Sequence, residues 1–273
     1  MSRAARCAPL PGLLASLAAW LGYIFLILPS LVVIPLSFGD KDEFVFPPHS
    51  LSLYLYKRYF FESTWVRVTF QSFEVGIGTM VVALVLGVGA AYGLSRYNFR
   101  GQRVITLFLL SPIFVPAIVM ALGLYLYLGR FHLTGTTSGL VLSHSVITIP
   151  FVIISVSAGL RHVDRNLETA AMVMGANRLL ILRKVTLPLL RPALVAGALF
   201  AFLISFDEVV ISYFISNVGT QTLPVKMYSS IRWEISPVLA AVSSLMTLLS
   251  FGVCLAIAFM QGPGRGRDGV ASR

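Results

Sequence analysis

Two adjacent carboxylates, Asp207 and Glu208, stand inside the apolar run "FDEVVISYFI", with Phe206 before them and Val209, Val210 and Ile211 after. A carboxylate at membrane depth costs roughly 2.5–3.5 kcal/mol on insertion scales, so it needs a water-filled path or a polar partner. Neighbours on a helix point about 100° apart, so the two acids are expected to serve different surroundings. Two chemistries are open. One acid lines an aqueous path and attracts a cation, or it is tied to a basic or polar group on an adjoining helix or at a half-helix end. Tyr213, further along the same run, offers a ring face to an alkyl-ammonium by cation–π attraction, or else packs or anchors at an interface.

A second stretch, "LETAAMVMGANRLLILRKVTLPLLRP" (residues 167 to 192), is too polar to cross a bilayer and too regular to be a bare linker. Asp164 or Asn166 can cap a helix start, and Glu168 then falls in the first turn, where negative charge suits the helix dipole. Thr169, Ala170, Ala171, Met172, Val173 and Met174 continue that helix with small and flexible side chains. Gly175 can adopt a left-handed conformation and end it. A second helical stretch follows from about Asn177, with Leu179, Leu182 and Thr186 on one face and Arg178, Arg183 and Lys184 turned to lipid headgroups or acidic protein. Pro188 and Pro192 then redirect the chain. Two readings are open for the first helix: it enters a groove on a partner protein, or it rests on the membrane surface.

No other constellation points to chemistry. The pattern GxxxxGK[ST] does not occur, so ATP is not expected to bind through a phosphate-cradling loop. Cys7 and Cys254 form no CxxC pair, and His49, His132, His144 and His162 are scattered without metal-ligand spacing. No Ser/His/Asp or Cys/His arrangement stands out. The chain is expected to have no catalytic residue, no metal and no cofactor, and to be no enzyme.

The elements that position these residues follow from composition. Of 273 residues, 57% are hydrophobic and only 12% charged, against about a quarter charged in a soluble domain. The apolar surface must be hidden in lipid. The formal net charge of +10 comes from basic residues set mostly between apolar segments, which fits loop retention on the cytoplasmic side better than nucleic-acid binding. A hydrocarbon core takes about 20 apolar residues per helix. Six such stretches are expected, at 13–38, 71–94, 104–129, 138–160, 193–215 and 237–260. The first is longer than the apolar part of a cleaved signal peptide and is expected to be retained. Pro112 and Pro116 should kink or break the third span, and Pro150 the fourth. Gly89 and Gly93, four apart, mark a small face for close helix packing in the second.

Lys and Arg set the orientation. Arg3 and Arg6, then Arg96, Arg100 and Arg103, then Arg161, Arg165, Arg178, Arg183, Lys184 and Arg191, then Arg265, Arg267 and Arg273 fall on one side if there are six spans. Both termini are therefore expected in the cytoplasm. The opposite connections carry fewer basic residues: Arg130, Lys226 and Arg232, with Lys41, Lys57, Arg58 and Arg67 balanced by Asp40, Asp42, Glu43 and Glu62 in the first.

The residues "ETAAMVMGA…VTLP" resemble the EAA loop of permease subunits of binding-protein-dependent ABC importers. In that motif two alanines, met here by Ala170 and Ala171, lead to Gly175, and nine residues later comes the Leu-Pro pair, Leu187–Pro188. The chain departs where the motif has Glu: Thr169 stands there, with Glu168 one residue earlier, and Val185 replaces an Ile. A second resemblance lies in "SFDEVVISYFI" and "TLPVKMYSSIRWEISP", which are similar to the second permease subunit of spermidine/putrescine importers.

The resemblance implies an all-α, polytopic, type I importer permease fold formed by residues 1–273 as one transmembrane domain, with a cytoplasmic coupling loop at 161–192. It implies residence in a bacterial inner membrane, contact with lipid, a homologous second permease, two ATPase subunits and an external solute-binding protein. It implies that Glu168, Thr169, Ala170, Ala171, Met172, Met174, Gly175, Leu187 and Pro188 couple to the ATPase. Asp207, Glu208 and Tyr213 would then line the path of a polyamine. The same subfamily also serves opines and other small solutes. A stand-alone secondary transporter is the reading from another class; it would need an inverted repeat of broken helices, and none is evident.

Overall fold

A computed structural model describes the backbone of residues 10–40, 46–61, 63–233 and 236–261, and side chains within 15–40, 46–61, 64–233 and 236–252. Arg3, Arg6, Cys7, Lys41, Asp42, Glu43, Glu62, Arg265, Arg267 and Arg273 lie outside the described residues, as does the side chain of Cys254. Among the described residues every regular element is helical. The described residues form two compact units, one within residues 1–63 and 233–273, the other within residues 64–232.

In the first unit, α1 (Leu10–Leu36) is apolar on all sides, and Trp20, Phe25 and Leu26 stand exposed. Such a helix needs a lipid or protein covering. The short α2 (Tyr54–Phe61) is amphipathic: Leu55 and Tyr59 are buried, while Phe60 and Phe61 are exposed. The Tyr56 hydroxyl lies 2.7 Å from Ser37 Oγ and donates to Ser244 Oγ at 3.2 Å, which ties α2 to the last helix of this unit.

The second unit begins with the long α3 (Ser63–Arg96). The third expected span is interrupted: α4 (Gln102–Leu110) passes through a tight turn at Ser111–Phe114 and bends by 108° into α5 (Ala117–Gly129). Pro112 and Pro116 sit at this break, as their missing N–H groups require. By contrast α6 (Thr137–Arg161) runs unbroken through Pro150, which is buried. The loop helices follow as α7 (Arg165–Val173) and α8 (Arg178–Ile181). A widened π segment at Leu182–Thr186 and the short α9 (Leu187–Leu189) continue the run. The wider turn accommodates the Pro188 ring, which would clash with the carbonyl four residues back in an α-helix. An 81° bend at Leu190 then leads into α10 (Arg191–Phe206). The fifth span breaks again after Phe206 and resumes as α11 (Val210–Ile215). The described chain closes with α12 (Leu223–Trp233) and, in the first unit, α13 (Val238–Gln261).

Small residues let α3, α6 and α10 come close. Ala83, Ala91, Val152, Val156, Leu160, Leu190 and Ala201 form one buried cluster. A second joins Val75, Ala121, Leu128, Leu140, Ile211 and Ile215, seating α5 and α11 against α3 and α6. The close-packed glycines of α3, Gly76, Gly78 and Gly87, are not the expected pair. A Cβ at Gly87 would lie 2.7 Å from Val152, whereas Gly89 and Gly93 meet nothing within 4 Å. Spacing alone identified a small face, but the chain turns another one inward. Three described helices are long and apolar enough to cross a membrane, and up to five segments qualify if each bent pair counts as one. α13 is counted apart, its searched part being Val238–Gly252.

Candidate functional site

The loop between α6 and α10 is built from its caps. Asp164 Oδ1 accepts the Asn166 N–H at 2.9 Å and starts α7, and Asn177 Oδ1 accepts the Leu180 N–H at 2.8 Å and starts α8. Gly175 has φ +85°, the conformation expected for a residue that ends the helix. Its N–H donates to Met172 O at 2.9 Å and the Ala176 N–H to Ala171 O at 3.0 Å, the paired bonds of a Schellman cap.

Glu168 does not face outward. It is 7% exposed, and its Oε1 accepts from Arg96 Nε at 3.1 Å and from the Thr186 hydroxyl at 2.9 Å, with the second guanidinium nitrogen also at 3.1 Å. One carboxylate oxygen thus joins the end of α3, the first loop helix and the Val-Thr-Leu-Pro segment. Two further ties fix the loop to α3 and the residue after it: Arg165 donates to Ser95 O at 2.7 Å, and the Arg178 guanidinium lies 4.9 Å from the Tyr97 ring centre. Only Ala171 joins Glu168 in burial on α7. Thr169, Ala170, Met172, Val173 and Met174 form the exposed face, with Val173 and Met174 more than four-fifths exposed. On the second stretch Ile181 and Thr186 are buried and Leu179 is exposed, so the inward face is not the one expected through Leu179. The π segment shifts the register that a 3.6-residue period assumes. Leu187 is half-buried and Pro188 exposed.

The acidic pair sits at the break of the fifth span, not on one helix. Asp207 terminates α10, and its N–H donates to Leu203 O at 3.0 Å. Its side chain is exposed and has no hydrogen-bond partner among the described residues. Glu208 is half-buried and turns back on the chain: its Oε2 accepts the Ile211 N–H at 2.8 Å and the Ser212 N–H at 3.2 Å. Those are orphan donors of the first turn of α11, and a carboxylate there also suits the helix dipole. The two acids therefore have different surroundings, as expected, but through the break instead of through helical rotation. Tyr213 is half-exposed and meets Tyr228 edge-on at 6.0 Å.

Four of these residues are not picked out by local spacing. In the sequence Arg96 reads as a loop charge. His144, fully buried on α6, bridges Ser205 and Ser212 on the two sides of the break. A histidine within an apolar run was itself a signal, by the same cost that singled out the acids. Nothing in the local spacing marked the two serines. No group of His, Cys, Asp or Glu suited to a metal ion occurs among the described residues.

The family described as binding-protein-dependent transport system inner membrane component matches residues 83–261. The spermidine/putrescine transport system permease protein PotC of Haemophilus influenzae is 32% identical over 234 residues, covering 85% of this chain and 90% of that protein. PotC of Escherichia coli is 30% identical over 237 residues, covering 86% and 88%. The putrescine transport system permease protein PotI of Escherichia coli is 30% identical over 233 residues, covering 83% of each. In fold, the chain is similar to a crystal structure of a bacterial ABC transporter involved in the import of the acidic polysaccharide alginate: TM-score 0.72, 16% identity, 96% of this chain and 99% of that one. On the matched residues and the full-length similarity, this chain belongs to the binding-protein-dependent transport system inner membrane components and is a permease of an ABC importer with the type I fold.

Proposed function

We propose that the chain forms half of the transmembrane path of a polyamine importer, as one six-span domain in a bacterial inner membrane with both termini in the cytoplasm. The observation that carries the solute class is Asp207, an exposed carboxylate at the break of a membrane helix, without a hydrogen-bond partner among the described residues. An unneutralised acid at that depth suits a cationic solute. The names of the three relatives, all spermidine or putrescine permeases, support the same class. Tyr213, half-exposed beyond the break, offers a ring to the alkyl-ammonium.

The partners are a homologous second permease, two ATPase subunits and an external binding protein. The mechanism is alternating access. The exposed face of α7, from Thr169 to Met174, lies in a groove of the ATPase, and closure of the ATPase dimer moves it. Arg96–Glu168, Arg165–Ser95 and Arg178–Tyr97 pass that movement to α3, while Leu187 and Pro188 pass it through the bend into α10. The energy comes from the ATPase, and this chain performs no covalent step.

Replacing Asp207 with Asn should lower spermidine uptake by the reconstituted complex by on the order of tenfold while the complex still assembles. Replacing Glu208 with Gln weakens a cap instead, and its effect should appear as reduced thermal stability with uptake changed less. Uptake left intact by Asp207→Asn would remove the cation path from the account.

A further inference from the structure

The fifth span is interrupted at residues 207–209, and an interruption inside a membrane helix frees backbone groups that must be satisfied within the protein. Glu208 answers the N–H groups of α11. That leaves open what holds the end of α10 and the start of α11 in one fixed arrangement. The answer comes from a different helix. His144 on α6 is 0% exposed, with Nδ1 2.8 Å from the Ser205 hydroxyl and Nε2 2.9 Å from the Ser212 hydroxyl. Ser205 lies in the last turn of α10 and Ser212 in the first turn of α11, and both are buried. A serine hydroxyl can donate or accept, so a neutral imidazole in either tautomer satisfies both partners and is satisfied by them. The ring needs no charge partner. The His144 carbonyl in turn accepts the Thr148 hydroxyl at 2.9 Å, which anchors the site within α6.

We propose that His144 is a positioning residue: by holding one hydroxyl on each side of the interruption, it fixes the break and hence the place where Asp207 is presented to the solute. The chain of contacts is continuous. Ser205 is two residues before Asp207, and Ser212 supplies both the hydroxyl that meets His144 and the N–H that meets Glu208. If the clamp is loosened, the two half-helices can turn or slide against each other and the Asp207 carboxylate moves. His144 touches no solute. This inference rests on the reading of Asp207 as a path residue.

The test uses the whole complex, with both permeases and the ATPases in proteoliposomes, the loaded binding protein at saturation, and radiolabelled spermidine as probe. The readout is solute moved per ATP hydrolysed. His144→Ala should lower that ratio about tenfold, since a small displacement of a positioned group is costly. Ser205→Ala and Ser212→Ala each remove one hydroxyl with little change in volume and should each lower the ratio about threefold. These two variants decide the matter even if the alanine at 144 prevents assembly. The signature of action through Asp207 is non-additivity: Ser205→Ala or Ser212→Ala combined with Asp207→Asn should be no worse than Asp207→Asn alone. A merely structural role would multiply the two losses, and that result overturns the proposal. So does an unchanged ratio in both serine variants. An unchanged ratio in Asp207→Asn alone overturns the path reading itself, and the clamp's purpose with it. Loss in Asp207→Asn without loss in the serine variants removes only the clamp.

Discussion

Glu168 shows how a single side chain can hold three segments of the chain together. Its buried oxygen meets Arg96 and Thr186, residues 72 positions before it and 18 after it. The motif's spacing from Gly175 to Leu187–Pro188 acquires a physical reason: the chain must return at the right length for Thr186 to reach the carboxylate. Removing one member of a buried ion pair costs about 3–5 kcal/mol, because the other charge is left without its counterpart. Glu168→Ala should therefore release the loop. Amide hydrogen exchange across 165–189 would rise, and ATP hydrolysis would become less dependent on the loaded binding protein. Glu168→Gln keeps the bond to Thr186 and should fall between. Protection of the loop unchanged by the alanine would show that the pair does not hold it. The sequence marked Glu168 as an acid in the first turn of a helix, but not as an inward tie, because the tie is made by residues distant along the chain.

The elements divide into those a local pattern can reveal and those it cannot. Caps and terminators act over a few residues, so Gly175 holds its expected place, Asp164 is the one of the two offered caps that starts α7, and the second stretch starts at Asn177 as expected. The break at Pro112 and Pro116 was legible for the same reason. The break after Phe206 was not, since no Pro or Gly marks it; it depends on Glu208 folding back onto α11 and on His144 from α6. Likewise the burial of Gly87 in place of Gly89 depends on which face of α3 meets Val152. The register of the second loop helix failed at Leu179 because the π segment alters the period. Gly175→Val tests the terminator. A β-branched residue at φ +85° costs about 1–2 kcal/mol and unravels the turn between α7 and α8. Membrane insertion should be intact while transport-coupled ATP hydrolysis falls; full transport would contradict the role given to this turn.

At the scale of the whole molecule, composition and segment lengths were enough to specify an all-helical membrane protein, and the family match agrees with the loop motif. The arrangement of charge along the chain sets an expectation for sidedness, and the coupling proposed for the loop requires that the loop face the cytoplasm. The central claim is that the exposed face of α7 is the point where an ATPase pushes on the bundle. Val173 is 84% exposed on that face and takes no part in the inward ties, so it can carry a probe without loosening the loop. The most direct measurement places a photo-crosslinking amino acid at position 173 in the complete transporter in its native membrane and identifies the adduct. The account predicts an adduct with the ATPase subunit, its yield changing when ATP is trapped. Adducts with lipid alone, in a complex that contains the ATPase, would contradict it.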